Sequence, residues 1–441
     1  MTLTSTSAVV ATATSRTDPD RAEPDHSELC AEPRPIRVLH IINDLSIGGA
    51  EMMLYRLLCQ ENGEHFQHAV ISLMDRGSLR ERVRELGVEV TSPRMRAAIP
   101  SPQSIWRLQR IVWELKPDII HGWLYHGSLA AQLASMLSRP SIPAIWSIHY
   151  SMSSLEFEKK TTAAVMRLCR RLSTKAEAIV FVSHVSQSQH RQLGYSAHNL
   201  VIPNGIDTEL FIPSAESRFS VRSELQLPSD TILIGLINRY HPMKDHASFL
   251  RAAASIVPTK ENVHFLMVGR GVDPANVELA ALISELGLKD HTHLLGERTD
   301  IPRLIASLDV LTLSSVYGES FPVTVGEAMA CGVPCVVTDV GDSGWLVGDT
   351  GRTVTPGQPS ELARAWQELI DMGAAGRASL GRAARQRVID HFSLPSIAEQ
   401  YKKLYLDTVK VNSLECGDLS PLSTARHSYS KAVTSPRTPR S

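Results

Sequence analysis

The chain contains 441 residues, of which 43% are hydrophobic and 21% are charged, and its formal net charge is −1. That length exceeds the needs of one ordinary domain, and the composition supports a well-buried core. A nearly neutral molecule is not a general binder of polyanions, and an aromatic content of 5% gives no sign of a stacking surface for nucleic acid. The bulk numbers favour a globular protein of two or three domains.

Both ends of the chain are predicted to be disordered tails. Residues 1–34 are rich in Thr, Ser, Asp, Glu and Pro, and residues 411–441 are rich in Ser, Pro, Thr and Arg, so neither buries enough apolar surface to offset its ordering entropy. The amino end lacks the basic segment of a signal peptide, and no apolar run reaches the roughly 18 residues of a membrane-spanning helix. The six cysteines are scattered without metal-ligand spacing, so we expect a cytoplasmic protein.

In the first half of the chain, short apolar runs alternate with helical patterns, as expected for buried parallel strands and their crossover helices. The predicted strands are Ile36–Ile42, His68–Leu73, Gly87–Thr91, Asp118–His121, Ala144–Ile148 and Ala178–Val182. The predicted helices are Ala50–Cys59, Leu79–Leu86, Ser104–Leu115 and Gly127–Leu137. This order predicts a doubly wound parallel sheet.

The alternation restarts after the turn-forming tripeptide Pro203-Asn204-Gly205. The predicted strands are Ile232–Ile237, His264–Val268, His293–Leu295, Val310–Leu313 and Cys335–Thr338, and the helices are Asp245–Ile256, Asn276–Leu286, Ile301–Ser307 and Val325–Ala330. We therefore predict an α/β protein with two Rossmann-like domains, residues 35–205 and 206–394, and a final helix at 395–410. Two such domains facing each other place a ligand in the cleft between them.

A glycine pair and a basic loop each follow the first strand of a predicted domain. Gly48 and Gly49 let the backbone approach a ligand at the start of a helix, although a tight turn without a ligand explains them equally well. Arg239 and Lys244 follow a strand at the edge where ligands bind in such sheets. An Arg fork and a Lys point charge suit a diphosphate, so we favour this function over a solvated basic loop.

The segment from Tyr317 to Pro334 carries the most specific signal. Glu319 lies in a predicted strand-to-helix loop, and Glu327 lies on the helix that follows. A carboxylate accepts two hydrogen bonds at once, as from the vicinal diols of sugars and riboses. The N–H groups at the start of the helix can face a phosphate. The spacing therefore indicates a site for a phosphorylated sugar or nucleotide.

Residues 36 to about 410 resemble the retaining glycosyltransferases of glycosyltransferase family 4, which have the GT-B architecture of two Rossmann-like domains. The motifs that carry the resemblance are Gly48-Gly49-Ala50-Glu51, Val201-Ile202-Pro203-Asn204-Gly205-Ile206-Asp207, Arg239 with Lys244, Val268-Gly269-Arg270-Gly271, and the Glu319 and Glu327 segment. The resemblance implies a hexosyltransferase that takes a sugar from a UDP- or GDP-linked donor and needs no other cofactor.

The resemblance also implies roles for the matching residues. Glu327 would hold the ribose hydroxyls, Glu319 would contact the transferred sugar, and Arg239 and Lys244 would neutralise the departing diphosphate. The other donor-binding residues it implies are Gly48, Gly49, Gly269, Arg270, Leu295, Ser320, Phe321 and Pro322. Ser320 stands where the family usually has Gly, and we expect this difference to affect donor choice.

Three histidines are candidates on the acceptor side or at the reacting centre. His149 matches the family's active-site histidine beside the donor sugar, and its place after a buried strand favours function over a structural role. With Glu319, Arg239 and Lys244 it makes up the predicted catalytic set. His121 and His126 are acceptor-side candidates.

The expected chemistry is transfer with retained configuration and without a metal, because no D-x-D-like motif follows a predicted strand. A double displacement would need a carboxylate nucleophile against the anomeric carbon. The resemblance instead implies attack on the same face, with the departing phosphate assisting deprotonation of the acceptor.

The acceptor is predicted from a basic amphipathic region at Lys159–Lys175. Its apolar positions are Val165, Leu168, Cys169 and Leu172, and its basic positions are Lys160, Arg167 and Arg171. Such a helix can lie on anionic lipid, although an ordinary docked surface helix explains the pattern somewhat better. Residues 36–205 also carry a net positive charge. We therefore expect contact with the inner membrane face and a lipid-linked saccharide acceptor, as in cell-surface or extracellular polysaccharide synthesis.

Two other functions stay open. A different GT-B enzyme, such as a glucan synthase or a sugar-nucleotide epimerase, would share the donor site, and an epimerase would release free donor without an acceptor. An inactive glycosyltransferase-like subunit would bind nucleotide and support a partner. Ser320 is the one residue that favours the inactive subunit, whereas the retained acidic and basic residues argue against it. A nicotinamide dehydrogenase lacks support because the fingerprint glycines are absent.

Overall fold

A computed structural model describes residues 34–415 except Asn62, Glu64, 96–100, 152–159 and Ala197. The predicted tail at 1–34 lies outside the described residues apart from Arg34, and so does 416–441. The final helix, predicted to end at 410, continues to Glu415. Among the described residues, no helix is long and apolar enough to cross a membrane.

The first domain contains a seven-stranded parallel sheet in the order β3-β2-β1-β4-β5-β6-β7. Its strands are β1 (Ile36–Ile42), β2 (Phe66–Ser72), β3 (Glu89–Thr91), β4 (Ile119–Trp123), β5 (Ala144–Ile148), β6 (Ala178–Phe181) and β7 (Asn199–Val201). The central strands β4, β5 and β6 are buried along their whole length, since helices cover both faces of such a sheet.

The second domain repeats this pattern with a six-stranded parallel sheet in the order β10-β9-β8-β11-β12-β13. Its strands are β8 (Ile232–Ile237), β9 (Val263–Val268), β10 (Thr292–Leu294), β11 (Val310–Leu313), β12 (Cys335–Thr338) and β13 (Arg352–Val354). The two sheets confirm the predicted GT-B fold. The edge strands β7 and β13, with three residues each, were not predicted.

Helices connect the strands in each domain. In the first domain they are α1 (Gly49–Glu61), α2 (Leu79–Glu85), α3 (Pro102–Leu115), α4 (Leu124–Leu137), α5 (Lys160–Leu172) and α6 (His184–Gln192). They are followed by α7 (Ala215–Glu224), α8 (His246–Ile256), α9 (Val277–Glu285), α10 (Ile301–Ala306), α11 (Val323–Ala330), α12 (Ser343–Val347), α13 (Pro359–Asp371), α14 (Gly373–His391) and α15 (Leu394–Glu415). The parallel strands require these crossovers, because adjacent parallel strands cannot be joined by a tight turn.

The chain crosses between the two domains twice, and the crossing segments are bonded to each other. The N–H of Ile206 donates to the carbonyl of Phe392 at 2.8 Å, and the N–H of Leu394 donates to the carbonyl of Ile206 at 2.8 Å. Beyond this point α15 returns to the first domain, where Tyr401 and Tyr405 are buried in the same apolar cluster as β1 and α1. The first domain therefore includes the C-terminal helix.

Histidine and aromatic rings fill the core beneath α15. His121 of β4 is fully buried, and its ring nitrogens are hydrogen-bonded to the Tyr405 hydroxyl and the Ser147 hydroxyl, both at 2.8 Å. Burial lowers the pKa of His121 to about 3, and the neighbouring His149 acts in the same direction. A neutral ring with both nitrogens bonded is the form that this core can hold.

We expect Tyr405→Phe to destabilise the protein by about 1–3 kcal/mol, because it leaves one buried nitrogen of His121 without a partner. Tyr401→Phe is the matched control, since the Tyr401 hydroxyl lies 3.5 Å from the Ser147 hydroxyl and loses a weaker contact. Urea denaturation of both variants measures the difference. Equal losses in the two variants would contradict the importance of the His121 bond.

Candidate active site

The predicted site residues come from loops that follow the carboxyl ends of strands in both sheets. Gly48 and Gly49 follow β1, His149 follows β5, Arg239 follows β8, and Glu319 follows β11. In parallel sheets these ends form one edge, where ligands bind. Ser183 and the N–H of His184, which follow β6, contact Ser320 and Asp342 of the second domain, so these edges of the two sheets face each other.

Glu319 is a buried carboxylate with two donors on one oxygen. Its Oε1 accepts from the Nζ of Lys244 in a buried ion pair and from the hydroxyl of Ser315 at 2.5 Å. The Ser314 hydroxyl donates to the carbonyl of Lys244 at 2.7 Å and fixes the lysine's loop. Within the described chain, Oε2 accepts no hydrogen bond. The bonds to Oε1 thus orient the side chain, and Oε2 can accept a hydrogen bond from a hydroxyl group of a ligand.

Arg239 and Arg270 are exposed cations on neighbouring loops. The N–H of Tyr240 donates to the carbonyl of Arg270 at 2.9 Å, which joins the two loops. Gly269 has φ +149°, and a Cβ there would lie 2.1 Å from the carbonyl oxygen of Asn238. Only glycine permits this approach, so Gly269 allows the two arginines to share one edge of the sheet.

Leu295 lies on the loop after β10, beside the Gly269 loop. The N–H of Gly269 donates to the carbonyl of Gly296 at 2.8 Å, and the N–H of Leu295 donates to the carbonyl of Met267 at 3.1 Å. These bonds attach the Leu295 loop to β9 and to the Gly269 loop that follows it. They leave the Leu295 side chain half-buried at the edge of the sheet.

Glu327 lies on α11 and is 9% exposed. An arginine of the other domain, Arg56 on α1, donates to its Oε1 at 3.4 Å and to the carbonyl of Gly205 at the same distance. Burial raises the pKa of Glu327 to about 7, and the charge of Arg56 opposes this shift. Arg56 was not predicted, because its partner is distant in the sequence.

Ser320, Phe321 and Pro322 follow Glu319 directly but have different surroundings. The Ser320 hydroxyl lies 2.8 Å from the hydroxyl of Ser183, a residue of the first domain. Phe321 is buried against Phe392, with ring centroids 5.7 Å apart, and Pro322 is the N-cap residue of α11. In this structure Phe321 and Pro322 support the loop, and Ser320 joins the domains.

His149 lies beside Trp123, with ring centroids 5.2 Å apart and a nearly stacked arrangement. Both of its ring nitrogens are shielded from solvent, and neither has a partner with full hydrogen-bond geometry among the described residues, although the Asn204 side chain lies close enough for a weak bond. Burial lowers the pKa of His149 to about 3, against the opposing effect of the Asn204 side chain. His149 differs in this respect from His121, whose two ring nitrogens are already bonded. The neutral imidazole of His149 has nitrogens that can bond a ligand.

The two acceptor-side candidates lie elsewhere. His121 is in the core beneath α15, where both ring nitrogens are already bonded, so this arrangement leaves neither nitrogen for an acceptor. His126 is half-buried on α4 and lines an apolar groove with Ile105, Leu108 and Leu133. Burial lowers the pKa of His126.

The two glycines after β1 differ in their steric demands. A Cβ on Gly48 would lie 2.4 Å from a carboxylate oxygen of Glu51, whereas a Cβ on Gly49 would meet nothing within 4 Å. Gly49 begins α1, so its surroundings are open at the amino end of that helix. Free N–H groups at a helix start can bind an anion.

Comparison with known proteins agrees with this geometry. The family profile described as Glycosyltransferase Family 4 matches residues 47–210, and the profile described as Glycosyl transferases group 1 matches residues 231–372. The Escherichia coli UDP-Gal:alpha-D-GlcNAc-diphosphoundecaprenol alpha-1,3-galactosyltransferase is 23% identical over 70% of this chain and 81% of its own length. Bacillus subtilis EpsF, provisionally named a glycosyltransferase, is 32% identical over 42% of this chain and 46% of its own length.

A solved structure has the same fold. Anabaena HepE in complex with UDP superposes with a TM-score of 0.74 and 24% identity, over 84% of this chain and 100% of HepE. Two parallel-sheet α/β domains together with this likeness define the GT-B fold. The two profile matches, one in each domain, and the curated relatives show a glycosyltransferase of the family-4 type that uses a nucleotide-sugar donor.

We expect nucleotide binding to weaken as the pH falls through about 7, because protonation of Glu327 removes the carboxylate that would accept both ribose hydroxyls. Arg56→Met should move this transition to higher pH, since Arg56 favours the ionised form. Calorimetric titration with UDP between pH 5.5 and 9 measures both effects.

Glu327→Gln is the control, because it keeps the titration of the nucleotide itself and removes that of the side chain. A Glu327→Gln protein with the same pH dependence as the unaltered protein would contradict the assignment. So would an Arg56→Met transition that does not move.

Proposed function

We propose that this protein is a retaining, metal-independent glycosyltransferase that moves a hexose from a UDP-linked donor to a lipid-linked saccharide. The observation that carries the proposal is the buried pair of Glu319 and Lys244 at the carboxyl end of β11, with Glu327 on the helix that follows. One carboxylate can bond the sugar and the other the ribose. We expect the lysine and Arg239 to neutralise the charge of the diphosphate that joins the sugar to the ribose.

UDP is favoured over GDP by the similar proteins. The E. coli relative is named for a UDP-Gal donor, and HepE has been solved with UDP and with UDP-glucose. In this chain a uracil base would lie against the Leu295 loop, whose backbone groups are fixed by the bond from Gly269 to Gly296. The experiment below compares UDP-linked donors with GDP-linked donors, which are the alternative.

In the proposed reaction the bond between the anomeric carbon and the diphosphate oxygen breaks, and a bond to the acceptor hydroxyl oxygen forms on the same face. The hydroxyl proton passes to the departing phosphate, so the products are UDP and the glycoside. Lys244 and Arg239 would stabilise the charge that develops on the leaving group, a preorganised electrostatic effect. His149 would bond a hydroxyl of the donor sugar through one of its unused nitrogens.

The metal-independent form of this proposal rests on the residue types at the cleft. Cations of the chain lie at the strand ends of the second domain, where a divalent ion would otherwise balance the diphosphate. Among the described residues, no group of three His, Cys, Asp or Glu side chains is placed to hold a metal ion. Measurement with and without a chelator tests this part.

We expect a thermal-shift panel of UDP-, GDP-, ADP- and CMP-sugars to raise the melting temperature most for a UDP-sugar, by mass action. With that donor, Lys244→Ala should lower kcat by about 10²–10³, the usual effect of removing one preorganised charge-stabilising group. Glu327→Ala should mainly raise the KM for the donor. Rates of UDP release with acceptor present provide the measurement.

Lys260→Ala is the matched control, because Lys260 belongs to the same domain but pairs with Asp371 at 3.1 Å away from the cleft loops. Unchanged turnover in Lys244→Ala would remove that residue from the mechanism. Donor binding without turnover would support the inactive subunit, and release of an epimerised donor without acceptor would support the epimerase.

The lipid-linked acceptor is supported by the name of the E. coli relative, which includes diphosphoundecaprenol, and by an outward surface of the first domain. On α3, Trp106 and Trp113 are 60% and 73% exposed, with Arg110 between them on the same helix face. Tryptophan beside arginine is typical of a membrane interface. We therefore place the protein at the inner membrane face.

The basic helix α5 packs as predicted at three of its four apolar positions, and only Leu168 departs from the buried face. Its buried residues are Ala163, Met166 and Cys169, whereas Leu168, predicted to be on the apolar face, is 41% exposed. The exposed leucine lies next to Arg167 on the surface. The apolar stripe of α5 is thus docked on its own domain, as in an ordinary surface helix, and the proposal of membrane contact rests mainly on α3.

We expect the protein to co-sediment with anionic phospholipid vesicles at low salt, and Trp106→Ser with Trp113→Ser to lower the bound fraction at least threefold. The loss follows from removing two exposed indoles that would enter the interface. Phe219→Ser is the control, because Phe219 is an equally exposed aromatic residue of the second domain. No sedimentation of the unaltered protein at low salt would count against membrane contact.

A further inference from the structure

The amino end of α6 is capped twice, once by a residue of its own domain and once by a residue of the second domain. Ser183 is the ordinary N-cap, and its hydroxyl accepts from the N–H of Ser186 at 3.1 Å. Asp342, which follows β12 in the second domain, accepts from the N–H groups of His184 at 2.7 Å and Val185 at 3.1 Å. The Nδ1 of His184 also lies 2.9 Å from the same carboxylate.

Asp342 is only 3% exposed, so its charge needs partners. In the described part of the chain no Lys or Arg pairs with it, and all of its carboxylate's partners belong to α6. A carboxylate is favoured at a helix amino end by the unbonded N–H groups and the helix dipole. The first domain therefore supplies the groups that stabilise this charge of the second domain.

The same contact includes the loop that carries Glu319. The N–H of Asp342 donates to the carbonyl of Ser320 at 3.0 Å, and the Ser320 hydroxyl lies 2.8 Å from that of Ser183. Gly341 has φ +63°, and a Cβ there would lie 2.5 Å from the carbonyl oxygen of Glu319, so the two loops are closely packed. Asp342 and Ser320 thus contact α6 as one unit.

On its other side, the first turn of α6 contacts the chain next to His149. The hydroxyl of Ser186 donates to the carbonyl of Tyr150 at 2.5 Å, and Tyr150 directly follows His149. Val182, just before the helix, is buried in the same apolar cluster as Phe321. A continuous set of bonded groups therefore connects the Glu319 loop of one domain with the His149 strand end of the other.

We propose that Asp342 and Ser320 are positioning residues that hold α6 against the Glu319 loop and thereby fix the distance between Glu319 and His149 across the cleft. This inference rests on the proposed function, in which both residues bond the donor sugar. The charged side chains that would hold the nucleotide, Lys244, Arg239 and Glu327, all belong to the second domain. Loss of the contact should therefore impair turnover and leave nucleotide affinity intact.

The chain's departure from its family has a role in this proposal. Glycine at position 320 would keep the backbone bond to Asp342 but lose the hydroxyl that reaches Ser183. The serine thus adds one bond between the domains to those made by Asp342. We expect Ser320→Gly to weaken the contact less than Asp342→Ala does.

The experiment compares Asp342→Ala, Ser320→Gly and the control Asp349→Ala, an exposed aspartate a few residues away. We expect kcat to fall at least tenfold in Asp342→Ala and about threefold in Ser320→Gly, with the Kd for UDP within twofold of the unaltered protein. Asp349→Ala should change neither. An unchanged kcat, or a Kd that worsens in parallel with kcat, would overturn the proposal. If Asp342→Ala does not fold, Ser320→Gly decides between these results.

Hydrogen–deuterium exchange tests the contact without any activity. The amides of His184 and Val185 should exchange faster in Asp342→Ala than in the unaltered protein and in Asp349→Ala, because their acceptor is gone. Equal exchange in all three proteins would show that Asp342 does not hold the helix. If the unaltered protein transfers no sugar, the proposed function fails, and the exchange result still decides whether the contact exists.

Discussion

The buried carboxylate of Glu319 constrains the arrangement of the whole cleft. A charge without solvent requires donors, and removing one partner of such a pair is costly. Lys244 and Ser315 provide the donors from two neighbouring loops, and the Ser314 hydroxyl fixes the loop of Lys244. The strands β8 and β11 must therefore end at the same level, which their parallel pairing ensures. The register in which β8 pairs with β11 thus determines whether Lys244 can reach Glu319.

Local sequence signals could predict the parts of the protein that are built from neighbouring residues. The apolar strands, the glycine turns and the Glu319 and Glu327 segment all lie within short stretches, and their positions in the structure agree to within a few residues. The edge strands β7 and β13 were missed because three residues show no periodicity. The buried face of α5 was predicted at three of four positions, and Leu168 was misassigned because apolar residues occur on more than one side of that helix.

Contacts between distant residues could not be predicted in the same way. Arg56 meets Glu327, and Asp342 meets α6, only because the chain crosses between the domains twice and brings loops of both sheets to one cleft. A single sequence contains no signal for such pairs. The histidines show the same limit. His121 lies within β4 and His149 follows β5, and the hydroxyls of Tyr405 and Ser147, both distant in the sequence, bond the ring of His121 alone.

The polar contacts between the domains are of a kind suited to a cleft that admits and releases a substrate. An apolar interface would favour one fixed arrangement, whereas hydrogen bonds to water would replace those of Asp342 and Arg56 if the cleft opened. Arg56 contacts Glu327, the proposed ribose ligand, and Asp342 contacts Ser320, which adjoins the proposed sugar ligand Glu319. Opening or closing of the cleft would therefore change an interdomain contact at each proposed end of the donor. Because the two crossing segments stay paired at Ile206, motion about that point would change both contacts together.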